Sequence, residues 1–88
     1  MKIDIYDTYA NTEDGKVIHF DVVVENGTSK EKAYEYALVF INSAKLNGVT
    51  LKQNKCNFCH SENADQESIN LIKNNGFYII PMEGCPNH

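Results

Sequence analysis

Residues 56–60, with the sequence Cys-Asn-Phe-Cys-His, bring reactive side chains together in an otherwise ordinary chain. Two thiols three positions apart can share one ion, because this is the spacing of zinc knuckles. A third thiol near the C-terminus and nearby imidazoles can complete a tetrahedral set. We therefore predict a transition-metal site, with zinc as the expected cofactor, whose candidate ligands are Cys56, Cys59, Cys85, His60 and His88, with His19 as a further imidazole.

Three other interpretations of the same cysteines stay open. A Cys-x-x-Cys pair is also the motif of redox dithiols, which usually lie at the start of a helix in a βαβ unit. The sequence Cys-x-x-Cys-His is the attachment sequence for covalent haem, but that needs export, and two aspartates interrupt what would be the apolar part of a signal peptide. The cysteines can also be buried as small apolar side chains. A polar loop fits metal binding best.

A second polar group is predicted on an N-terminal β-hairpin. Alternating apolar residues predict strands over Lys2–Tyr9 and Val17–Val24, joined by an Asp-Gly turn. If Tyr9 lies opposite Lys16, the isoleucines of the first strand share one face with Phe20. The other face then carries Asp4, Tyr6, His19 and Asp21. These four side chains would suit a cation or acid–base chemistry, although a solvated sheet face is the simpler interpretation.

The rest of the chain predicts two helices and two strands. Thr28 and Glu31 form a capping box before a helix that runs to Asn47, and Gly48 is its stop. The remaining elements are a strand over Val49–Gln53, a helix over Ala64–Asn75 that Gly76 ends, and a strand over Phe77–Ile80. The order β-β-α-β-α-β predicts a single α+β domain over residues 1–88, a two-layer sandwich with both helices on one face of the sheet.

Composition and charge narrow the range of partners. The net charge of −4, with 8 basic residues that are all lysine and are scattered, argues against nucleic-acid binding. No apolar run is long enough to span a membrane. We expect a cytoplasmic protein whose thiols are reduced or metal-bound. Tyr34, Leu38 and Val39 fall off the apolar stripe of the first helix and predict a homodimer. The sequence identifies no small-molecule ligand.

Four short motifs resemble one family of proteins. They are Tyr6-Asp7-Thr8-Tyr9, His19-Phe20-Asp21-Val22, Cys56-x-Phe58-Cys59-His60 and Met82-Glu83-Gly84-Cys85. In this order and spacing the chain resembles the domain-of-unknown-function 2024 family of small bacterial proteins. The resemblance implies a compact α+β fold and no established activity, and it gives His88 no support.

Among the functions considered for the cysteine motif, metal binding is the leading hypothesis. The alternatives are a thiol-redox protein or an enzyme of unassigned reaction that uses His19, Asp21 and the cysteine loop.

Overall fold

The computed structural model describes residues 2–46, 48–56 and 65–82. The predicted α+β class and the order β-β-α-β-α-β are confirmed. The elements are β1 (Ile3–Asn11), β2 (Val17–Glu25), α1 (Lys30–Ser43), β3 (Thr50–Lys55), α2 (Gln66–Asn75) and β4 (Phe77–Pro81). The four strands form one sheet in the order β3-β1-β2-β4, and every neighbouring pair is antiparallel.

The register of the β1–β2 pair differs from the predicted register. Tyr9 lies opposite His19, three positions from the predicted partner Lys16. The cause is the turn, which begins only after Asn11: the Thr12 amide donates to the carbonyl oxygen of Lys16 at 2.9 Å. A shift by an odd number of residues moves every side chain of β1 to the other face relative to β2.

One face of the sheet, here called the α1 face, carries the main core. Buried residues of β2 (Ile18, Phe20, Val22 and Val24) lie there with Tyr6 and Ala10 of β1. Helix α1 covers them with a stripe at helical spacing formed by Ala33, Ala37, Phe40 and Ile41. The Phe20 and Phe40 rings meet with their centroids 4.6 Å apart.

The opposite face, here called the α2 face, carries a smaller core. Ile3 and Val23 are buried there against Ile72 of α2, with Ile5 and Tyr78 packed beside them. The prediction that both helices pack on one face is therefore wrong. The register explains the difference, because Ile3 and Ile5 now join Val23 in a second apolar patch, and α2 removes that patch from water.

The ends of the helices and strands differ from the predicted ends by a few residues. The side chain that caps α1 is Ser29, whose Oγ accepts from the Lys32 amide at 3.1 Å, while the Thr28 hydroxyl donates to the Glu25 carbonyl. Asp65 caps α2, and Gly76 ends that helix in the left-handed conformation, as predicted. Among the described residues, neither helix is long and apolar enough to cross a membrane.

Gly76 provides a test of how α1 and α2 meet. A Cβ at Gly76 would collide with the Tyr36 hydroxyl end, and the Tyr36 ring is held by stacking on Phe77 at 4.4 Å. Gly27 has nearly the same backbone φ, +92° against +91°, with nothing within 4 Å of an added Cβ. We expect Gly27→Ala to cost about 1–2 kcal/mol of unfolding free energy. Gly76→Ala should cost about 1 kcal/mol more, because it adds overpacking. Equal losses in urea denaturation would contradict this packing.

The homodimer stays a prediction, and it can be tested on α1. Tyr34, Leu38 and Val39 are exposed by 40%, 40% and 53%. If this surface is the interface, Leu38→Lys should shift the molar mass measured by light scattering from two chains to one at micromolar concentration, because a buried unpaired charge is costly. Lys45→Gln, at an exposed position after the helix, is the control. A wild-type protein that is already monomeric would refute the prediction.

Candidate metal centre

Three side chains that can ligate a metal converge on the α2 face. Asp7 of β1 lies directly opposite Asp21 of β2, and His19 is two positions from Asp21 on the same strand. Side chains alternate along a strand, so all three point to one face. Helix α2 packs on Ile3 and Val23, and the group follows next along the strands, towards the β1–β2 turn.

The distances from His19 to the two carboxylates suit a small ion better than direct hydrogen bonds. His19 Nε2 lies 3.5 Å from Asp7 Oδ1 and 4.0 Å from Asp21 Oδ1. One ligand atom from each of the three residues lies within 4.8 Å of the others. Hydrogen bonds from nitrogen to oxygen are about 2.7–3.2 Å long. Two ligands of a tetrahedral zinc ion are separated by about 3.3 Å, which follows from bond lengths near 2.0 Å.

The imidazole of His19 is held in place from the neighbouring strand. The ring of Tyr9, its partner across the β1–β2 pair, stacks on it with centroids 4.2 Å apart and an interplanar angle of 7°. Cross-strand aromatic pairs of this kind stabilise a sheet and fix ring orientation. The stacking therefore restrains the plane of the His19 ring, whose Nε2 lies 3.5 Å from Asp7 Oδ1.

Asp21 is the buried member of the group. Its side chain is only 10% exposed, and its Oδ1 atom is buried with no hydrogen-bond partner in the described part of the chain. Burial and the neighbouring Asp7 carboxyl raise the pKa of Asp21 to about 6, against a smaller opposing effect of His19. Two neighbouring carboxyls resist being ionised together, so they either hold one proton between them or need a cation beside them.

Asp4 and Tyr6, which were predicted to share a face with His19 and Asp21, lie on the α1 face instead. That grouping is wrong because of the register shift. Asp4 has a structural role: it accepts from the Asn26 side chain at 2.9 Å and from the Gly27 amide at 3.0 Å, with Lys55 Nζ at 3.5 Å. Burial alone would raise the pKa of Asp4, but these donors outweigh it and lower the pKa below its usual value.

Asp7 is the member of the group that sequence reasoning missed. It was present in the Tyr-Asp-Thr-Tyr motif, but the predicted register placed it on the apolar side of the hairpin. Tyr6, by contrast, donates a long hydrogen bond of 3.4 Å to the Thr28 carbonyl and lines the α1 core. A hairpin aligned with Tyr9 opposite His19 would have identified Asp7.

Of the predicted cysteine-site ligands, Cys59, His60, Cys85 and His88 lie outside the described residues. Cys56 is disulfide-bonded, which differs from the reduced thiol expected for a cytoplasmic protein. A sulfur in a disulfide is not a thiolate, so in this state Cys56 does not offer a metal its usual sulfur ligand. The Cys56 amide donates to the Ile5 carbonyl at 2.8 Å and extends the β1–β3 ladder. Ile5 precedes Asp7 by two residues on β1, which is about 6.7 Å along the strand.

Comparisons with known proteins place this chain in a family. The family described as "Domain of unknown function (DUF2024)" matches residues 1–82. The chain belongs to this family. It is also similar to the protein NE1680 from Nitrosomonas europaea, solved by NMR, at 40% sequence identity and a TM-score of 0.79, and the match covers 98% of this chain and 100% of that one. No curated protein matches the chain.

The pH dependence of stability tests the environment of Asp21 in this DUF2024 family member. The raised pKa, about 6 against 3.8, means that the folded state holds a proton that the unfolded state releases between these values. The free energy of unfolding therefore falls as pH rises through this window. In chelator, Asp21→Asn should melt higher than the wild type at pH 7.5, and the difference should shrink towards pH 4.

Asp4→Asn is the matched control, because Asp4 is equally buried and its pKa is lowered. A carboxyl whose pKa is lowered in the folded state stabilises that state at pH values above its usual pKa, and acidification removes this stabilisation. This variant should melt lower than the wild type at pH 7.5 and lose its deficit at low pH. If Asp21→Asn also melts lower at every pH, the environment assigned to Asp21 is wrong.

Proposed function

We propose that this protein binds a divalent transition-metal ion, zinc before others, through Asp7, His19 and Asp21. The observation that supports it is the buried Asp21 carboxylate, whose Oδ1 has no hydrogen-bond partner among the described residues and faces an imidazole nitrogen and a second carboxylate. Buried charges in proteins are normally paired or coordinate metals. A cation between the three groups would satisfy this atom.

Electrostatics favours a divalent ion over the proton that the two carboxyls otherwise share. A metal adds two positive charges where two carboxylates approach an imidazole, and so removes their repulsion. Because the ion competes with protons for the same oxygens, binding should release protons and weaken in acid. Asp21 is the most buried of the three ligands. The free-energy cost of burying its charge is therefore the largest of the three, and the bound ion would offset it.

The ligand set narrows the choice of ion. Imidazole suits zinc, copper, iron and nickel, while a purely oxygen set would favour magnesium or calcium. Three protein ligands leave one tetrahedral position open, the pattern of zinc sites that bind water or a substrate. The set contains no soft sulfur ligand in the described state, which disfavours Cu(I). The function we propose is therefore metal binding with a position left for an exchangeable fourth ligand.

Thiol–disulfide exchange is a second candidate function, and the disulfide at Cys56 favours it. Its partner cysteine lies outside the described residues. Since the sequence has three cysteines, the two functions can be separated by removing all the thiols. Loss of every thiol would abolish exchange chemistry and leave the carboxylate–imidazole site in place.

The test is metal binding by a variant in which Cys56, Cys59 and Cys85 are all serine. Calorimetry with Zn²⁺ should give one ion per chain, and Co²⁺ should give absorption without thiolate charge-transfer bands. In that background, Asp21→Asn and His19→Gln should each weaken binding at least about tenfold, since each removes a ligand. Glu35→Gln, on the exposed side of α1, should leave the affinity unchanged.

Two outcomes would overturn the proposal. One is that the serine variant binds no ion while the wild type does, which would assign the metal to the cysteines. The other is that Asp21→Asn and His19→Gln bind as tightly as their parent. A single thiol in the unfolded oxidised wild type, rising to three after reduction, would confirm the disulfide on which the thiol-exchange candidate rests.

A further inference from the structure

Three asparagine–glycine pairs in the chain can undergo a spontaneous covalent reaction, deamidation. They are Asn26-Gly27, Asn47-Gly48 and Asn75-Gly76. The glycine backbone nitrogen attacks the asparagine side-chain carbon Cγ, and glycine has no Cβ to obstruct the approach. The N–Cγ bond forms, the Cγ–Nδ2 bond breaks, and Nδ2 leaves as ammonia with the proton of the glycine amide. Water then opens the succinimide ring to aspartate or isoaspartate. Asn47 lies outside the described residues, so the other two pairs can be compared.

The pair Asn26-Gly27 is held by one carboxylate. Both residues are exposed, in the turn between β2 and α1, so burial does not shield them from water. Asn26 Nδ2 donates to Asp4 Oδ1 at 2.9 Å, and the Gly27 amide donates to Asp4 Oδ2 at 3.0 Å. Asp4 therefore binds both the nitrogen that would attack and the nitrogen that would leave.

The Asp4 carboxyl is ionised at neutral pH. Burial acts to raise its pKa, but the two donors from the turn and Lys55 outweigh burial and lower the pKa. An ionised carboxylate only accepts hydrogen bonds, and bonds to a charged acceptor are roughly twice as strong as neutral ones. The Gly27 nitrogen must also lose its proton before it attacks, and the charge of Asp4 opposes a second negative charge beside it.

The pair Asn75-Gly76 lacks this arrangement. The Gly76 amide donates to a neutral acceptor, the Ile72 carbonyl, at 2.7 Å. The exposed side chain of Asn75 forms no hydrogen bond with any described residue. The backbone φ of the glycine is nearly the same in the two pairs, +92° at Gly27 and +91° at Gly76. The pairs therefore differ in the charge beside the attacking nitrogen and in whether the side-chain amide is held.

We infer that Asn26 is a deamidation site that Asp4 protects in the folded protein and that reacts when β1 separates from the turn after β2. Refolding does not reverse the reaction, because ammonia has left. The new carboxylate would face Asp4 where Nδ2 now donates, and two neighbouring carboxyls resist being ionised together. Deamidation at Asn26 therefore marks a chain that has opened locally, and it makes the closed state of that chain less favourable.

Peptide mass spectrometry after incubation at pH 7.5 measures deamidation at Asn26 and Asn75 in the same sample. In urea, where the fold is absent, both pairs should react at similar rates. In the folded wild type the rate at Asn26 should be at least about tenfold below its rate in urea, the effect expected of a hydrogen bond to a charged group. The rate at Asn75 should fall by less.

Variants separate the carboxylate from the rest of the fold. Asp4→Asn removes the charged acceptor and should restore most of the rate at Asn26 seen in urea, while the rate at Asn75 stays at its folded value. If both rates rise together, the variant has unfolded, and the comparison of the wild type with and without urea decides. Lys55→Gln removes the ammonium 3.5 Å from Asp4 Oδ2 and leaves both donors, so it should keep the protection.

The product can be imitated directly. Asn26→Asp replaces the donor to Asp4 with a second carboxylate and should melt lower than the wild type at pH 7.5. Asn75→Asp, at an exposed position, should lower the melting temperature by less. The inference fails if Asn26 reacts as fast in the folded wild type as in urea, or if it stays protected in a folded Asp4→Asn variant. A faster rate in the folded wild type than in urea would also overturn it, because Asp4 would then be removing the Gly27 proton instead of holding it.

Discussion

The pairing of β1 with β2 is the constraint on which the rest of the structure depends. Opposing Asp7 with Asp21 and Tyr9 with His19 decides which face every side chain of the hairpin occupies. It creates two apolar patches instead of one, and each patch requires its own helix. The same pairing brings three metal-ligating groups together and separates Asp4 from them. A register three residues away would remove both the second core and the candidate site.

Two aspartates on this hairpin show how the structure separates structural from chemical roles. Asp4 and Asp21 are both 7% exposed, yet their pKa values shift in opposite directions. Asp4 receives donors from the turn after β2 and a lysine, so its charge is stabilised in place. Asp21 faces another carboxyl, and burial adds to the repulsion. Burial alone therefore identifies neither role, and the surrounding donors decide it.

The sequence predicted the elements of this fold better than their alignment. Alternation and helical spacing are local properties, so the α+β order and the stop at Gly76 could be predicted. The β1–β2 register depends on how the turn closes through Thr12, and several closures fit the same alternating residues. Asp7 was missed for that reason. The sequence likewise could not distinguish Thr28 from Ser29 as the helix cap, since both can accept the hydrogen bond.

Two buried polar atoms, one on each face of the sheet, lack hydrogen-bond partners among the described residues. Asp21 Oδ1 lies on the α2 face beyond the residues that α2 buries, and Gln53 Oε1 lies on the α1 face, where Gln53 Nε2 donates to the Ala33 carbonyl. An unsatisfied buried polar atom costs about 1–3 kcal/mol, which a small domain tolerates poorly. An apolar side chain at either position would avoid that cost. At Asp21 a cation would offset that cost, and this is the physical reason to look for a metal ion there.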